Sequence, residues 1–451
     1  MRATTVRTCL AGLIFLSALG AYSVGGIPIQ WLAQAGTILL AVLLVSTRRA
    51  PLPRGTVPFG LLLGWLAVVT LVAQALGNDY AALMPSRAST PYPVFVVLRF
   101  LALLSFVSTA VVAHWLVVHG HEGLLLRRLV LIATVVSVAS LYIYAAQVSG
   151  LPEPPRTRPG TGGGQQVIRS SYPFHRAMGT FREPSHLAEW LVAPLLLSFA
   201  LHGSPLNWSS GIIAAATLLT GSLTGILAVA FGLVSAWVVT RRKRLRRTAL
   251  VGISLLCGLA VFQMVATSHT GKPVDLPGTL WKRLAPALRE GVPATNRGYV
   301  YEAFGRIEVP FCGFGLGHAS IVFSRSLRSD LIASTLNLYL HIWLAGGAIG
   351  LALLGVTLAG PLWRLLFASR AGNAGRLAWI LGSYVGWLLM FAGHSEELNV
   401  MFGVVYGLAL AVVEPKRVAR QPGLLTSGPH GSPSRVAVEA CRGWRCNRTI
   451  E

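Results

Sequence analysis

Hydrophobic runs of membrane-spanning length recur from residue 9 to residue 413, separated by short segments that carry arginine. The hydrocarbon core offers no water to backbone N–H and C=O groups, so repeated runs of this length must fold as helices that bond internally. The fold class expected is therefore all-α, a polytopic transmembrane helix bundle. Composition agrees, since 53% hydrophobic residues, 12% charged residues and a mean hydropathy of +0.62 lie far from the balance of a soluble domain. At ~20 residues per crossing the chain has room for about 12 spans. Apolar windows place them near 9–25, 29–46, 57–76, 94–118, 125–148, 185–202, 207–220, 222–240, 249–267, 335–362, 377–393 and 398–413.

A net charge of +23 would suggest nucleic acid in a soluble protein, but here much of it sits in the short segments between spans. Arg48, Arg49 and Arg54, then Arg127 and Arg128, the basic run 241–247, and Arg364, Arg370 and Arg376 all fall on one face if both termini are cytoplasmic. The charge then controls topology, and no nucleic-acid partner is expected. This orientation sends 77–93, 149–184, 268–334 and 394–397 outward. Residues 1–413 form the transmembrane domain, including the outer loops 149–184 and 268–334, the latter a small, partly helical cap. Residues 414–451, rich in Pro, Gly, Ser and Arg, read as a disordered cytoplasmic tail. The first apolar run lacks a clear small-residue cleavage site and reads as a retained helix. The five cysteines are scattered and fit neither a disulfide framework nor a zinc pattern.

Chemistry is sought in the outer segments. PEPPRTRPGTGGGQQ (152–166) has the Pro and Gly content of a flexible surface loop. GTFREPSHLAEW (179–190) gathers Arg182, Glu183, Ser185, His186 and Glu189 where a loop enters an apolar helix. Charges at a membrane boundary need a partner or a wet cavity. Pro184 suits the first helical turn and Glu183 its positive end, so this cluster either caps the helix or faces substrate.

A second constellation is NRGYVYEAFGRIEVPFCGFGLGH (296–318). On a helix Arg297, Tyr301 and Glu308 share a stripe, and Glu302 and Arg306 stand at ion-pairing i, i+4 spacing. The alternation of Gly313, Gly315 and Gly317 offers backbone amides to an anion, and His318 is a candidate acid or base. A third, STLNLYLHIWLAGGAIGL (334–351), carries Asn337 and His341 ahead of Gly346, Gly347 and Gly350, whose small size suits close helix packing. His394, Glu396, Glu397 and Asn399 form a fourth polar cluster.

In this order the segments resemble the O-antigen ligase and polymerase superfamily, over roughly residues 170–412. The parts are GTFREPSHLA, the turn LTGSLTGILA (219–228), the 297–318 loop ending in PFCGFGLGH, and the stretch from Asn337 to Gly350. The resemblance implies a multi-pass protein of the bacterial cytoplasmic (inner) membrane with its active face outward. It would polymerise lipid-linked oligosaccharide repeat units into exopolysaccharide or O-antigen-like polysaccharide. The donor implied is a polyprenyl-pyrophosphate-linked oligosaccharide, with a chain-length regulator and a flippase of the same pathway as partners. Ligase-type transfer and a non-enzymatic flippase are the alternatives. A flippase should spread charge through many spans, whereas here charge concentrates at the outer loops and helix ends. Two positions depart from the family pattern: Leu223 follows Ser222 where many members have Arg, and Leu336 precedes Asn337 where many ligases have His.

Transfer from a pyrophosphate needs fixed cations for the developing charge, and arginine offers planar, bidentate donors. Arg182, Arg297 and Arg306 are the candidates, with Arg169 and Arg176 weaker. Tyr301, His186 and Asn337 are further substrate-binding candidates. Glu183 and His318 are the candidate catalytic groups for the acceptor hydroxyl. Asp275 and Asp330 stand isolated, so neither a metal nor any other cofactor is expected.

Overall fold

A computed structural model describes residues 2–48, 52–76, 79–88, 90–158, 176–203, 207–240, 298–370, 374–393 and 397–413. The apolar runs become helices. In chain order these are α1 (Ala3–Ser17), α2 (Ile29–Arg48), α3 (Val57–Ala75), α4 (Tyr92–Val118), α5 (Glu122–Ser149), α6 (Pro184–His202), α7 (Trp208–Leu219) and α8 (Leu223–Thr240). They continue as α9 (Gly298–Gly305), α10 (His318–Ser326), α11 (Leu338–Arg370), α12 (Ala374–Gly393) and α13 (Val400–Val413). A hairpin of two-residue strands, β1 (Ser23–Val24) and β2 (Ile27–Pro28), joins α1 to α2.

Eleven of the twelve expected windows coincide with a helix, and 249–267 lies outside the described residues. Seven described helices are long and apolar enough to cross a membrane, whereas α1, α7, α8 and α13 are shorter apolar helices. The expected count of about 12 spans is therefore not reached by length. The 268–334 segment, expected to be partly helical, is helical at α9, and its first part, 268–297, lies outside the described residues. The second cap helix, α10, was not anticipated, because the Gly-rich turn before it masks its start.

Two helices run through the centre. Every residue of α6 from 187 to 200 is buried, and so is every residue of α13 from 400 to 411. A helix buried all round needs no polar face, and its neighbours can close on it only where side chains are small. In α13, a Cβ on Gly403 would lie 2.7 Å from the Phe106 carbonyl oxygen of α4, and one on Gly407 would lie 2.4 Å from that of Ala110. The same device joins α8 to α12, where a Cβ on Gly232 would meet the Gly382 oxygen at 2.7 Å. These contacts leave backbone against backbone.

The element that most departs from regularity is α11. Gly347 holds φ 62° and ψ −156° inside it, which breaks the hydrogen-bond ladder. The freed groups find partners in the loop ahead of α10. Phe314 N–H donates to the Leu344 carbonyl and Gly315 N–H to that of Ala345, both at 2.8 Å. Ala348 N–H donates back to the Phe311 carbonyl at 3.0 Å. The glycine alternation thus serves the broken helix instead of exposing amides to an anion: Gly313 N–H goes to Pro310 and Leu316 N–H to Thr70 Oγ1.

Candidate functional site

The N-termini of the two central helices meet at one end of the bundle. Glu183 is the N-cap of α6 in extended backbone, with Pro184 at the first helical position, where its missing N–H costs nothing. Asn399 plays the same part for α13, its Oδ1 accepting Phe402 N–H at 3.0 Å. Its amide then donates to Glu189 Oε1 of α6 at 2.8 Å. The first and fourth constellations of the sequence are thereby joined.

Glu189 is 5% exposed, and a buried carboxylate needs partners. Besides Asn399 it has His186, whose Nδ1 stands 3.6 Å from Glu189 Oε2 while the imidazole side chain is 45% exposed. One turn earlier, Ser185 Oγ donates to Glu183 Oε2 at 3.4 Å. Arg182 and Glu183 are exposed beside them.

Three arginines complete this end, and the sequence reading passed over all of them. Arg99, inside α4, pairs with Glu397, donates to Ser320 Oγ of α10 at 3.3 Å and lies 5.0 Å over the Phe95 ring. Its signal was available, because an ionised residue within a spanning helix is a site candidate by default. Arg156 and Arg158 belong to the segment expected to be flexible. Residues 152–158 are instead tied down: Arg156, 5% exposed, donates to the carbonyls of Phe181 (2.9 Å) and Arg182 (3.3 Å) and to Met178 Sδ. Arg158 donates to the Gly20 carbonyl at 2.9 Å, and Ser23 N–H donates to Thr157 Oγ1 at 2.8 Å. Residues 159–166 lie outside the described part.

Burial lowers the Arg158 pKa to about 10, with the Arg182 charge acting in the same direction and Glu397 in the opposite one. Burial likewise lowers Arg156, with Arg182 again adding to the fall. Arg158 remains a cation at neutral pH, and the charges of Arg182 and Glu397 are close enough to act on it. Arg176 donates through Nε to the Thr220 carbonyl at 2.6 Å, fixing the loop to the turn where Ser222 Oγ accepts Gly225 N–H at 3.3 Å. Gly179 lets the loop approach α5, since with φ 52° a Cβ there would lie 2.0 Å from Ser140 Oγ.

His318 sits apart from solvent at the start of α10. Its ring stacks on Tyr80 with centroids 3.9 Å apart, Nδ1 contacts the Phe314 carbonyl at 2.8 Å, and Nε2 contacts the Tyr92 hydroxyl. A carbonyl only accepts, so Nδ1 carries the proton and Nε2 accepts from Tyr92. Burial pushes its pKa down, against the Phe314 carbonyl. Asn337 is the N-cap of α11, its Oδ1 accepting Tyr339 and Leu340 N–H and its amide donating to Ala392. Leu336 before it holds φ 52°.

On α9, Tyr301 packs against the core, and exposed Arg306 pairs with Glu302 at 3.8 Å. The expected stripe is cut short because α9 ends at Gly305, ahead of Glu308. Arg297 lies outside the described residues, as do Arg169, His394 and Glu396. The structure thus gathers Arg182, Glu183 and His186 with Arg99, Arg156, Arg158, Glu189, Glu397 and Asn399. His318 joins that group only through its neighbour Ser320. Among the described residues, no three His, Cys, Asp or Glu side chains come together as a metal site.

No curated protein matches the chain. The family model described as WcaD colanic acid polymerase matches residues 10–272, which take in Arg99, Arg156, Arg158, the GTFREPSHLAEW segment and the 219–228 turn. That match covers more than half of the sequence, and the chain belongs to the WcaD colanic acid polymerase family of polysaccharide polymerases.

Proposed function

We propose that this membrane polymerase joins lipid-linked oligosaccharide repeat units on the outer face of the bacterial cytoplasmic membrane, taking each saccharide from a polyprenyl diphosphate. The observation that carries this reading is the convergence of Arg99, Arg156, Arg158 and Arg182 on the meeting N-termini of α6 and α13. As the anomeric carbon–oxygen bond breaks, negative charge grows on the departing diphosphate. Arg156 and Arg158 are already fixed by carbonyl oxygens and Arg99 by Glu397 and Ser320, so beside two helix N-termini these guanidiniums would meet that charge with little reorganisation. Losing one such donor costs roughly 10²- to 10³-fold in turnover. The arginines supply the positive charge, so the reaction needs no metal.

Glu183 and His186 stand on the exposed side of the same helix end and would face the hydroxyl groups of the incoming saccharide. Arg306 and Tyr301, with Arg297 just ahead of α9, are proposed to hold the saccharide farther from the diphosphate. His318 and Asn337 keep α10 and α11 in place around the site. Both termini would lie in the cytoplasm, with Arg54, Arg127, Arg128 and Arg376 at the opposite end of the bundle. A chain-length regulator and a flippase of the same pathway would act beside it.

The test is mass spectrometry of lipid-linked saccharides in a strain lacking the protein, complemented with wild type or with Arg158→Ala and Arg182→Ala. Single repeat units on the outer side are expected in the null strain and in both variants. Long lipid-linked chains there would point to ligation, units held on the cytoplasmic side to flipping, and an unchanged profile would overturn the reading.

A further inference from the structure

The transfer leaves one atom unaccounted for, the proton of the acceptor hydroxyl. We propose that His186 takes it, as the general base of a relay in which Glu189 holds the imidazole and Asn399 holds Glu189. The inference rests on the polymerase reading above.

Three features of the geometry carry it. Glu189 is buried and the His186 side chain is 45% exposed, so the carboxylate lies on the Nδ1 side of a ring that solvent or substrate can reach. A carboxylate on the Nδ1 side fixes the tautomer with hydrogen on Nδ1, which leaves the lone pair on Nε2 for a hydroxyl. The 3.6 Å separation is longer than a formed hydrogen bond, and contacts of this kind commonly tighten only when substrate is bound. Glu189 cannot easily turn away, because Asn399 grips its other oxygen at 2.8 Å from the capped start of α13.

The location fits the step. His186 lies on the first turns of α6, next to Glu183 and Arg182, which bound the diphosphate neighbourhood. The acceptor oxygen forms its bond to the anomeric carbon while its proton passes to His186 Nε2. The bond from that carbon to the diphosphate breaks with its electron pair leaving on the diphosphate. The imidazolium then returns its proton to water or to the released diphosphate, so the cycle balances without another reactant. Glu183 faces the same end, and among the described residues the side chain that bonds its carboxylate is Ser185. The charged and titratable groups around the ring are Glu183, Arg182 and Glu189, with Arg158 and Glu397 beyond.

The test uses the full-length protein in proteoliposomes, with lipid-linked repeat units extracted from the null strain as substrate and polymer length as readout. His186→Gln, at an exposed position, should fold normally, lower kcat by roughly 10²- to 10⁴-fold and leave KM close to wild type. It should also remove the acidic limb of the pH–rate profile. Glu189→Gln should keep that limb, shift it to lower pH and lower kcat less, because the imidazolium loses its counter-charge. Arg182→Ala should act on KM as well as kcat. A wild-type kcat or an unchanged pH profile for His186→Gln, with Arg182→Ala still impaired, would overturn the relay alone. Full activity in Arg182→Ala and Arg158→Ala would overturn the polymerase site itself.

Discussion

His318, a candidate acid or base by its sequence position, lies in surroundings that the sequence does not show. It follows a glycine-rich turn and is fully buried against Tyr80 and Tyr92 with both ring nitrogens engaged. The sequence could not show this, because both tyrosines come from segments more than two hundred residues earlier. Burial favours the neutral ring, because a charged imidazolium there would lose its hydration. Its folded pKa is lowered, whereas an unfolded histidine titrates near about 6.5. Above about pH 6.5 the full stability is present, and below it the unfolded chain takes up a proton that the folded ring refuses. The thermal midpoint of the detergent-purified protein should therefore fall as pH drops below that value and level off beneath the folded pKa. His318→Gln, which keeps a donor and an acceptor but does not titrate, should flatten this dependence. An equal slope in both proteins would mean that other groups govern it.

At the scale of elements, most helices were legible because a spanning run must satisfy its own backbone. Caps were legible too: Glu183 and Pro184 start α6 as their types suggest. The break in α11 was not, because Gly346, Gly347 and Gly350 read equally well as packing residues. Gly346 and Gly350 do lie against Trp65 of α3, and Trp65 Nε1 donates to the Gly346 carbonyl at 2.8 Å. Gly347 differs, since its backbone lies where only glycine is comfortable and a Cβ would come within 1.8 Å of the Phe311 oxygen. Gly347→Ala should cost about 1–3 kcal/mol from backbone strain alone, and more from the clash. It should release the 311–315 loop, lowering the thermal midpoint and raising amide exchange at Phe314 and Gly315. Gly346→Ala, where a Cβ would meet the flexible end of Leu66 at 3.0 Å, should be milder. If the two variants behaved alike, the loop would not depend on the break.

Across the whole molecule, charge separates along the bundle in a way the sequence announced only in half. The arginines between spans were legible as topology signals, and the end they occupy carries the Arg376–Glu122 pair at 3.4 Å. The arginines of the other end were not, because their meaning depends on three distant segments folding together at residues 99, 156–158 and 182. One end thus holds cations in short connections, and the other holds cations gathered around two helix N-termini. On the positive-inside rule the first end would be cytoplasmic, and the proposed function then requires the gathered set to face outward. Cys312 tests this directly, being an exposed free thiol on the loop that braces α11. With Cys312 as the sole cysteine, a membrane-impermeant maleimide should label intact spheroplasts. A second protein with its only cysteine introduced as His121→Cys, in the α4–α5 connection beside Glu122, should label only after permeabilisation. The reverse pattern would put the arginine set in the cytoplasm, where an outward-facing polymerase could not use it.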